Sequence, residues 1–352
     1  MRTRRATLVA AALGVVVATA CGGGSGTASE PAPVREAPAP RTSTPAAPAP
    51  PTRGPLRAHH PAWAAVSVAT VWRSPAAPRA VDAPALARPA QIQQWLQAMT
   101  LDERRALNGR ADTQVLLGDR VDVVRLRPGW ARVTVPGQPT PLDAGGYPGW
   151  VPRRQLTAVP PAQTPRVATV TVGTAWLRAD APSARPLWRV GFGTDLPVVG
   201  RAPGSVRVVL PTGAVRRVAR TAVVLHQPDE PAFAPSRASV VARARSFVGL
   251  AYLWAGTSGF GLDCSGLTWL TYRAHGIRLP RDASAQATFG RAVTRLRPGD
   301  LMFFGDPVHH VAMYAGHGRM VHAPGTGQSV QVVPVSTPPY AHEYAGACRV
   351  LH

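Results

Sequence analysis

The chain has 352 residues, enough for two or three domains of ordinary size that each bury a core. Its formal net charge is +21, and because the sequence contains no lysine, arginine supplies all of the basic side chains. The arginines are spread along the chain and no nucleic-acid-binding motif is present. We therefore expect anionic surroundings such as a membrane or cell wall, and no nucleic-acid partner.

Residues 1–20 have the composition of an export signal. Three arginines precede an apolar stretch that is short for a helix crossing about 30 Å of hydrocarbon. Thr19 and Ala20, directly before Cys21, resemble the box at which bacterial lipoproteins are lipidated, although Ala18 stands where leucine is usual. The alternative is an ordinary secretory signal cleaved nearby. We expect an exported protein with Cys21 as a candidate lipidation site, and hence a membrane as a partner through the lipid.

The next stretch, residues 21–61, consists mostly of Gly, Pro, Ala, Thr and Ser. Such a composition buries too little apolar surface to fold, and its prolines favour an extended linker. From 62 to 160, short β-like runs such as "TQVLLGDRVDVVRLRPGWARVTVPG" alternate with turn residues. This alternation predicts a first small β-barrel.

A helical insertion interrupts that barrel in "ARPAQIQQWLQAMTLDERRALNG". Its apolar residues recur at helical spacing, which predicts packing rather than function: Ile92, Trp95, Leu96 and Met99. Thr100 followed by Glu103 predicts a capping box that opens a second helix.

Residues 163–229 repeat the β-like pattern. "VATVTVGTAWLRADAPSARP" echoes "VSVATVWRSPAAPRA", and "GTDLPVVG" echoes "GDRVDVVR". This internal similarity predicts a second barrel of the same type.

Residues 236–352 show a different pattern. "SRASVVARARSFVGL" predicts a helix capped by Ser236 or Ser239, with one apolar face: Val240, Val241, Ala244, Phe247 and Val248. "CSGLTWLTYRAHG" predicts a second helix that ends at Gly276. "PGDLMFF", "HHVAMYAG" and "RMVHAP" predict strands. A helix that carries a cysteine, followed by an antiparallel sheet that carries histidines, is an α+β arrangement.

Cys264 opens the second of these helices. A catalytic cysteine attacks as the thiolate, so it needs a lowered pKa and a nearby base, and a helix N-terminus supplies positive potential and free N–H groups. Position alone leaves a small buried hydrophobe equally open. A disulfide with Cys348 is a further alternative, although two cysteines do not form a disulfide framework in so long a chain.

Three histidines lie on the strand-like segments that follow. Strand alternation puts His309 and His310 on opposite faces and does not select the one that faces the cysteine, although the small Ala312 leaves room beside His310. His322 is placed to hydrogen-bond the far nitrogen of the base. A rival interpretation is a metal site formed by these histidines and Asp306, although neither H-E-x-x-H nor paired cysteines are present.

The segments "YLWAGTSGFGLDCSGLTWLTYRAHGIRLPRDASAQ", "LRPGDLMFFG", "HHVAMYAG" and "MVHAPGTG" follow one another in residues 237–352. In this order they resemble the motifs of the NlpC-type cysteine peptidases, which cleave bacterial cell-wall peptides on a papain-like fold. One departure is Ala255, where that family usually has a glycine.

The resemblance implies a role for each matching position. Cys264 matches the nucleophile, His310 the general base and His322 the orienting third residue. Tyr252 matches a tyrosine that lines the site. No cofactor and no metal are implied.

The front half resembles a narrower group, in which two bacterial SH3-like barrels precede this catalytic domain. Those proteins are γ-D-glutamyl-L-diamino acid endopeptidases that act on stem peptides with a free N-terminal L-alanine. The resemblance implies an ammonium-binding pocket formed by Asp263, Ser265, Tyr147 and Asp112. The alternatives are barrel packing for Tyr147 and a solvated turn acid for Asp112.

The sequence therefore predicts an exported hydrolase that cuts peptidoglycan stem peptides between γ-D-Glu and a diamino acid such as diaminopimelate. A non-catalytic wall-binding lipoprotein is one alternative, and the intact set of thiol and imidazole residues argues against it. An amidase or acyltransferase on the same fold is the other.

Overall fold

The computed structural model describes residues 54–351. Cys21, the predicted export signal and most of the predicted linker lie outside this range, so the predictions about them stay predictions. Among the described residues, no helix combines the length and apolar character needed to cross a membrane.

The first region is a seven-stranded antiparallel sheet. Its strands are β1 Pro61–Ala64, β2 Val68–Trp72, β3 Ala111–Leu116, β4 Arg120–Arg127, β5 Trp130–Val135, β6 Tyr147–Pro152 and β7 Leu156–Thr157. The spatial order is β3-β2-β6-β5-β4-β1-β7. β2 is buried at every position, and β4 alternates between buried and accessible residues along its first half.

Three short helices separate β2 from β3: α1 Ala83–Leu86, α2 Ile92–Ala98 and α3 Leu101–Arg105. The apolar residues expected to pack are buried, including Met99, which lies just after the end of α2. The predicted capping box is present, because the Thr100 hydroxyl accepts from the Glu103 N–H and the Glu103 carboxylate accepts from the Thr100 N–H at 2.8 Å.

The second region is another seven-stranded antiparallel sheet. Its strands are β8 Val167–Val170, β9 Thr174–Ala179, β10 Pro186–Gly191, β11 Asp195–Ala202, β12 Ser205–Val209, β13 Val215–Ala219 and β14 Val223–His226. The order β10-β9-β13-β12-β11-β8-β14 repeats that of the first sheet strand for strand. The internal similarity of the sequence thus has a counterpart in one shared strand order.

The C-terminal region has an α+β architecture. Its elements are α4 Arg237–Arg245, β15 Thr257–Ser258, β16 Gly261–Leu262, α5 Cys264–Arg273, α6 Ala283–Gln286, β17 Arg291–Ala292, β18 Leu301–Phe304, β19 His310–Gly316, β20 Arg319–His322, β21 Gln331–Pro334, α7 Tyr340–Glu343 and β22 Tyr344–Arg349. The antiparallel sheet runs β17-β22-β18-β19-β20-β21. The helix and strands predicted around the cysteine and histidines are therefore present.

The structure decides one open alternative and corrects one local expectation. Ser236, not Ser239, caps α4, and its hydroxyl accepts from the Ser239 N–H. α4 ends at Arg245, so Val248 leaves the predicted apolar face and its side chain is 52% exposed. The chain turns immediately afterwards at Gly249, whose φ of 88° lies in the left-handed region.

Helix α5 is buried along almost its whole length, from Cys264 to Tyr272. It packs against β19 and β15. A Cβ atom at Gly266 would lie 2.0 Å from the carbonyl oxygen of Gly256, so only glycine permits this approach of helix and loop. Glycine at this position lets the segment that carries Tyr252 lie against the start of α5.

Strand β3 of the first sheet docks onto this region. The Trp254 indole donates to the Ala111 carbonyl at 2.9 Å, and the Thr257 and Ser258 hydroxyls donate to Gln114 at 3.0 and 3.1 Å. Because Asp112 lies on the same strand, this docking brings the first sheet to the edge of the region that carries Cys264.

Candidate active site

Cys264 is the first residue of α5, and Asp263 is its N-cap. The Asp263 carboxylate accepts from the Gly266 N–H at 2.7 Å, which is the bond expected of an N-cap. The backbone N–H groups of Val311 and Ser265 donate towards the Cys264 sulfur. The thiol therefore lies between the helix N-terminus and the start of β19. Cys264 and Cys348 are both free thiols, which excludes the disulfide alternative.

His310 is the first residue of β19, and His322 is the last residue of β20. Because these strands are antiparallel neighbours, the two histidines lie at the same end of the sheet. His310 Nε2 lies 3.0 Å from His322 Nδ1, so the predicted hydrogen bond is present and Nδ1 is the His310 nitrogen left for the thiol. His309 points the other way: its side chain is 62% exposed and lies 3.5 Å from the Glu343 carboxylate. Burial and hydrogen bonding thus distinguish the two adjacent histidines.

The metal interpretation finds no support in this geometry. His309 diverges from His310, and Asp306 is exposed. Within residues 54–351, no three side chains of the His, Cys, Asp and Glu types converge as metal ligands would.

The electrostatics of the site differ from the simple helix-terminus expectation. Burial, and then the charge of Asp263, raise the pKa of the Cys264 thiol to about 12, although the two N–H donors act in the opposite direction. Burial lowers the pKa of His310 to about 3 and that of His322 to about 4. Burial disfavours the charged forms, the Cys264 thiolate and the two imidazolium ions. At Cys264 this cost exceeds the stabilisation of the thiolate by the helix N-terminus. The expected lowered thiol pKa is absent, and at neutral pH the thiol and both imidazoles are uncharged.

Tyr252 lies beside the thiol. Its side chain is buried, and its pKa is raised by burial and by the charges of Cys264 and Asp263. The phenol therefore stays protonated and can donate a hydrogen bond. Nearby Ala255 has a φ of 67°, in the left-handed region where glycine is favoured. This backbone conformation accounts for a glycine being usual there, and alanine adopts it here.

Asp263 and Ser265, two of the residues predicted to bind an amine, both contact Arg281. The guanidinium donates to both Asp263 oxygens, at 2.5 and 3.1 Å, and to the Ser265 hydroxyl at 2.9 Å. It also donates to the Thr113 hydroxyl of β3 at 2.8 Å. Arg281 is 1% exposed, so this cluster is a buried link between the two regions.

Tyr147 and Asp112, the other two predicted amine-binding residues, line one cavity of about 460 Å³. Tyr147 donates to Asp282 at 3.3 Å, and Asp112 accepts from Arg73 at 2.8 Å. Burial and then the charge of Asp282 raise the pKa of Tyr147, so its hydroxyl keeps its proton. Burial also raises the pKa of Asp282, against the opposing charge of Arg281.

Sequence reasoning missed four residues of the site: Arg281, Asp282, Gln331 and Tyr340. The first two lie in "LPRDASAQ", inside a recognised motif but without an assigned role. Gln331 lies opposite His322 in the β20–β21 register, with its amide nitrogen 3.3 Å from His322 Nε2. Tyr340 packs on the two imidazoles from α7. Neither of the last two has a local sequence signal, because strand pairing and loop docking create their contacts.

Known proteins are similar to this chain over most of its length. A model described as the NlpC/P60 family matches residues 249–349. The chain is 40% identical over 299 residues to a gamma-D-glutamyl-L-lysine dipeptidyl-peptidase of Bacillus cereus, covering 81% of this chain and 90% of that one. It is 34% identical over 293 residues to a protein of the same name from Bacillus subtilis, covering 80% and 96%.

A solved structure is similar over the same extent. The crystal structure of an NlpC/P60 family protein from Bacillus cereus has a TM-score of 0.78 and 39% sequence identity, and the match covers 83% of this chain and 100% of that one. The similarity therefore includes the two N-terminal β-rich regions as well as the region that carries Cys264. The chain belongs to the NlpC/P60 family.

Proposed function

We propose that this protein is a cysteine peptidase that hydrolyses the bond between γ-D-Glu and the diamino acid of peptidoglycan stem peptides. The observation that carries the proposal is the arrangement of Cys264 at the start of α5 with the hydrogen-bonded pair His310 and His322. Relatives that span most of the chain are named gamma-D-glutamyl-L-lysine dipeptidyl-peptidases, which supports the bond and the removal of a dipeptide.

The chemistry is acyl transfer through a thioester. Nδ1 of His310 takes the Cys264 proton as the sulfur adds to the γ-carbonyl carbon of D-Glu. N–H groups at the start of α5, together with the Tyr252 hydroxyl, hold the oxyanion. His310 returns the proton to the departing amine, and the carbon–nitrogen bond breaks. Water, deprotonated by His310, then adds to the thioester carbon, and the carbon–sulfur bond breaks. The proton passes from His310 to the Cys264 sulfur, and L-Ala-γ-D-Glu is released.

Uncharged reactants suit this mechanism. Because thiol and imidazole are both neutral at pH 7, proton transfer accompanies attack rather than preceding it. The imidazolium formed during attack donates through Nε2 to Nδ1 of His322, 3.0 Å away. His322 thus fixes the ring and stabilises its charge, the part played by the third member of a triad.

A free N-terminal ammonium is bound by Asp263, Ser265, Tyr147 and Asp112. Support comes from the contacts around three of them: Arg281 touches Asp263 and Ser265, and Asp282, the residue after it, accepts from Tyr147. Asp112 lines one cavity with Tyr147. Because Asp112 and Tyr147 belong to the first sheet, that region forms the end of the groove. An ammonium there limits cleavage to the second peptide bond from the free end.

We also propose that the two seven-stranded regions are SH3-like barrels and that the protein is exported and lipid-anchored through Cys21 at the outer face of the cytoplasmic membrane or in the cell envelope. The shared strand order supports the first statement. The arginines, apolar stretch and cysteine of residues 1–21 support the second. Labelling cells with a radioactive fatty acid tests the anchor: we expect label on the wild-type protein and none on Cys21→Ser.

The activity is tested with free stem tripeptides that end in L-lysine or diaminopimelate, with products identified by mass spectrometry. Cys264→Ala and His310→Ala each abolish release of L-Ala-γ-D-Glu. Matched controls are Cys348→Ala, which removes the other buried thiol, and His309→Ala, which removes the neighbouring exposed imidazole; both retain turnover. Substantial cleavage by either purified active-site variant contradicts the proposal.

The ammonium pocket has its own test. We expect N-acetylated and sugar-linked stems to be cleaved far more slowly than free ones, and Asp112→Asn to reduce this preference. Equal cleavage of blocked and free stems by the wild-type protein would show that the pocket is wrongly assigned while leaving the peptidase activity intact.

A further inference from the structure

Tyr340 covers the two imidazoles of the site. It is the first residue of α7, the single helical turn that precedes β22. Its ring centroid lies 5.1 Å from that of His310, with the planes 31° apart, and 4.8 Å from that of His322, with the planes 86° apart. A single side chain thus lies at a tilt over one imidazole and meets the other edge-on, within the range of attractive aromatic contacts.

The same ring closes an aromatic cluster around His310. Phe304, on the adjacent strand β18, lies 5.8 Å from His310 and 5.4 Å from Tyr340. Phe304 is fully buried, whereas Tyr340 is only partly buried. Tyr340 is therefore the side chain between the imidazole pair and solvent on this side of the site.

The titratable side chains around His310 are His322 of β20, 3.0 Å away, and Tyr340 of α7, whereas the adjacent His309 points away and pairs with Glu343 of α7. The Cys264 thiol of α5 lies against the next residue of β19, Val311, whose N–H donates towards the sulfur. None of these groups is a carboxylate in contact with the His310 ring. An imidazolium at this position therefore depends on water or on His322 for stabilisation.

We propose that Tyr340 is a positioning residue for the catalytic base: its ring excludes water from the His310–His322 pair and holds the His310 plane so that Nδ1 faces Cys264. The proposal rests on the proposed function for its kinetic consequence. The aromatic ring, and not the hydroxyl, carries this role, because Tyr340 meets both imidazoles through its ring.

The physical argument concerns hydration and orientation together. Burial is the main cause of the low pKa values of His310 and His322, so removing the covering ring admits water and favours the imidazolium. Rotation of the His310 ring is also less restricted once the Tyr340 ring beside it is lost. A base that is more readily protonated and less well aligned transfers a proton from the thiol more slowly.

The test compares Tyr340→Phe, Tyr340→Ala and Tyr344→Ala in the full chain. Tyr344 is the matched control, since it lies on the same segment and contacts Phe304 at 6.1 Å. The first measurement is NMR titration of the His310 and His322 imidazole C–H signals, assigned with His310→Gln and His322→Gln. The second is the pH profile of kcat/KM on the free stem tripeptide.

We expect Tyr340→Ala to raise the His310 pKa by about one unit or more, because the ring that excludes water is gone. Its kcat/KM falls by about tenfold and the acid limb of the profile moves to higher pH. Tyr340→Phe keeps the ring and leaves the imidazole titration unchanged, and Tyr344→Ala leaves both measurements unchanged. If Tyr340→Ala fails to fold, Tyr340→Leu takes its place and is judged on the same titration.

Unchanged imidazole titration in the folded alanine or leucine variant overturns the inference, whether or not the protein cleaves stem peptides. A shift shared by Tyr344→Ala also overturns it, because the effect would then belong to the segment and not to the ring. Failure of the wild-type protein to cleave the tripeptide contradicts the proposed function instead, and the titration still decides the role of Tyr340.

Discussion

The guanidinium of Arg281 holds both carboxylate oxygens of Asp263 in a buried pair at the start of the nucleophile helix, at 2.5 and 3.1 Å. Asp263 is also the N-cap of that helix, and Arg281 reaches Thr113 on the first sheet. The pair thus joins the helix terminus to the neighbouring region and compensates a carboxylate that lies next to the Cys264 thiol.

Replacing Arg281 with Met leaves this buried carboxylate without its partner. We expect the free energy of unfolding to fall by about 3–5 kcal/mol, since an uncompensated buried charge costs more than the pair contributes. Urea denaturation measures the change. Adding Asp263→Asn recovers part of the loss, because asparagine still caps the helix but carries no charge. A double variant no more stable than Arg281→Met would show that the charge is not the cause.

The Gln331 side-chain amide faces His322 Nε2, the imidazole nitrogen that does not contact His310. When His310 accepts the thiol proton on Nδ1, its Nε2 donates to His322 Nδ1, so the His322 hydrogen lies on Nε2, facing the Gln331 amide. A half-turn of that amide presents its oxygen as the acceptor. We therefore expect Gln331→Leu to lower kcat by about tenfold and Gln331→Glu to retain activity. Steady-state kinetics decide this, and equal kcat in the leucine variant and wild type would contradict it.

The buried imidazoles make the fold sensitive to acid. His310 and His322 have pKa values of about 3 and about 4, below the ordinary value of 6.5 that applies to the unfolded chain. At a pH between the folded and unfolded pKa values, each histidine is protonated in the unfolded chain and neutral in the folded one. The free energy of unfolding therefore falls as the pH falls below 6.5, by about 1.4 kcal/mol per pH unit for each histidine.

Urea denaturation at about pH 6 and about pH 4.5 measures this slope. His322→Gln removes one of the two histidines and makes the slope shallower. His309→Gln, which changes the exposed neighbour, is the control. A His322→Gln slope as steep as that of the wild type would contradict the burial of a neutral His322.

At Gly266 we expect substitution by alanine to destabilise the protein, the opposite of what helix propensity predicts. Alanine is favoured over glycine by about 1 kcal/mol inside an exposed helix. Here a Cβ would lie 2.0 Å from the Gly256 carbonyl oxygen, so we expect Gly266→Ala to lower the free energy of unfolding by about 1–3 kcal/mol. The displaced loop carries Tyr252, so kcat/KM falls as well.

The control for this substitution is Gly137→Ala, whose Cβ meets no atom within 4 Å. Thermal unfolding and peptidase assays on both variants provide the comparison. A Gly266→Ala protein as stable and active as Gly137→Ala would rule out the close approach of loop and helix.

Much of the site follows from local sequence. Asp263 and the apolar run after it predict a helix that begins at Cys264, and strand alternation separates His309 from His310. The choice of His310 came from the family resemblance, and the structure adds a physical basis: His310 is buried against His322, whereas His309 is exposed. Val248 shows the limit of periodicity, because an apolar residue continued the helical pattern beyond the end of α4.

The sequence by itself determined the features that depend on neighbours along the chain. These are the helix start and its cap, the strands that carry the histidines, and the repeated β pattern of the front half. The tertiary structure alone decided the sign of the Cys264 pKa shift, since burial outweighs the helix terminus. It alone also brought Arg281 to Asp263, Gln331 to His322 and Tyr340 to both imidazoles. These contacts join residues distant in sequence, and their energies depend on desolvation that exists only once the chain has folded.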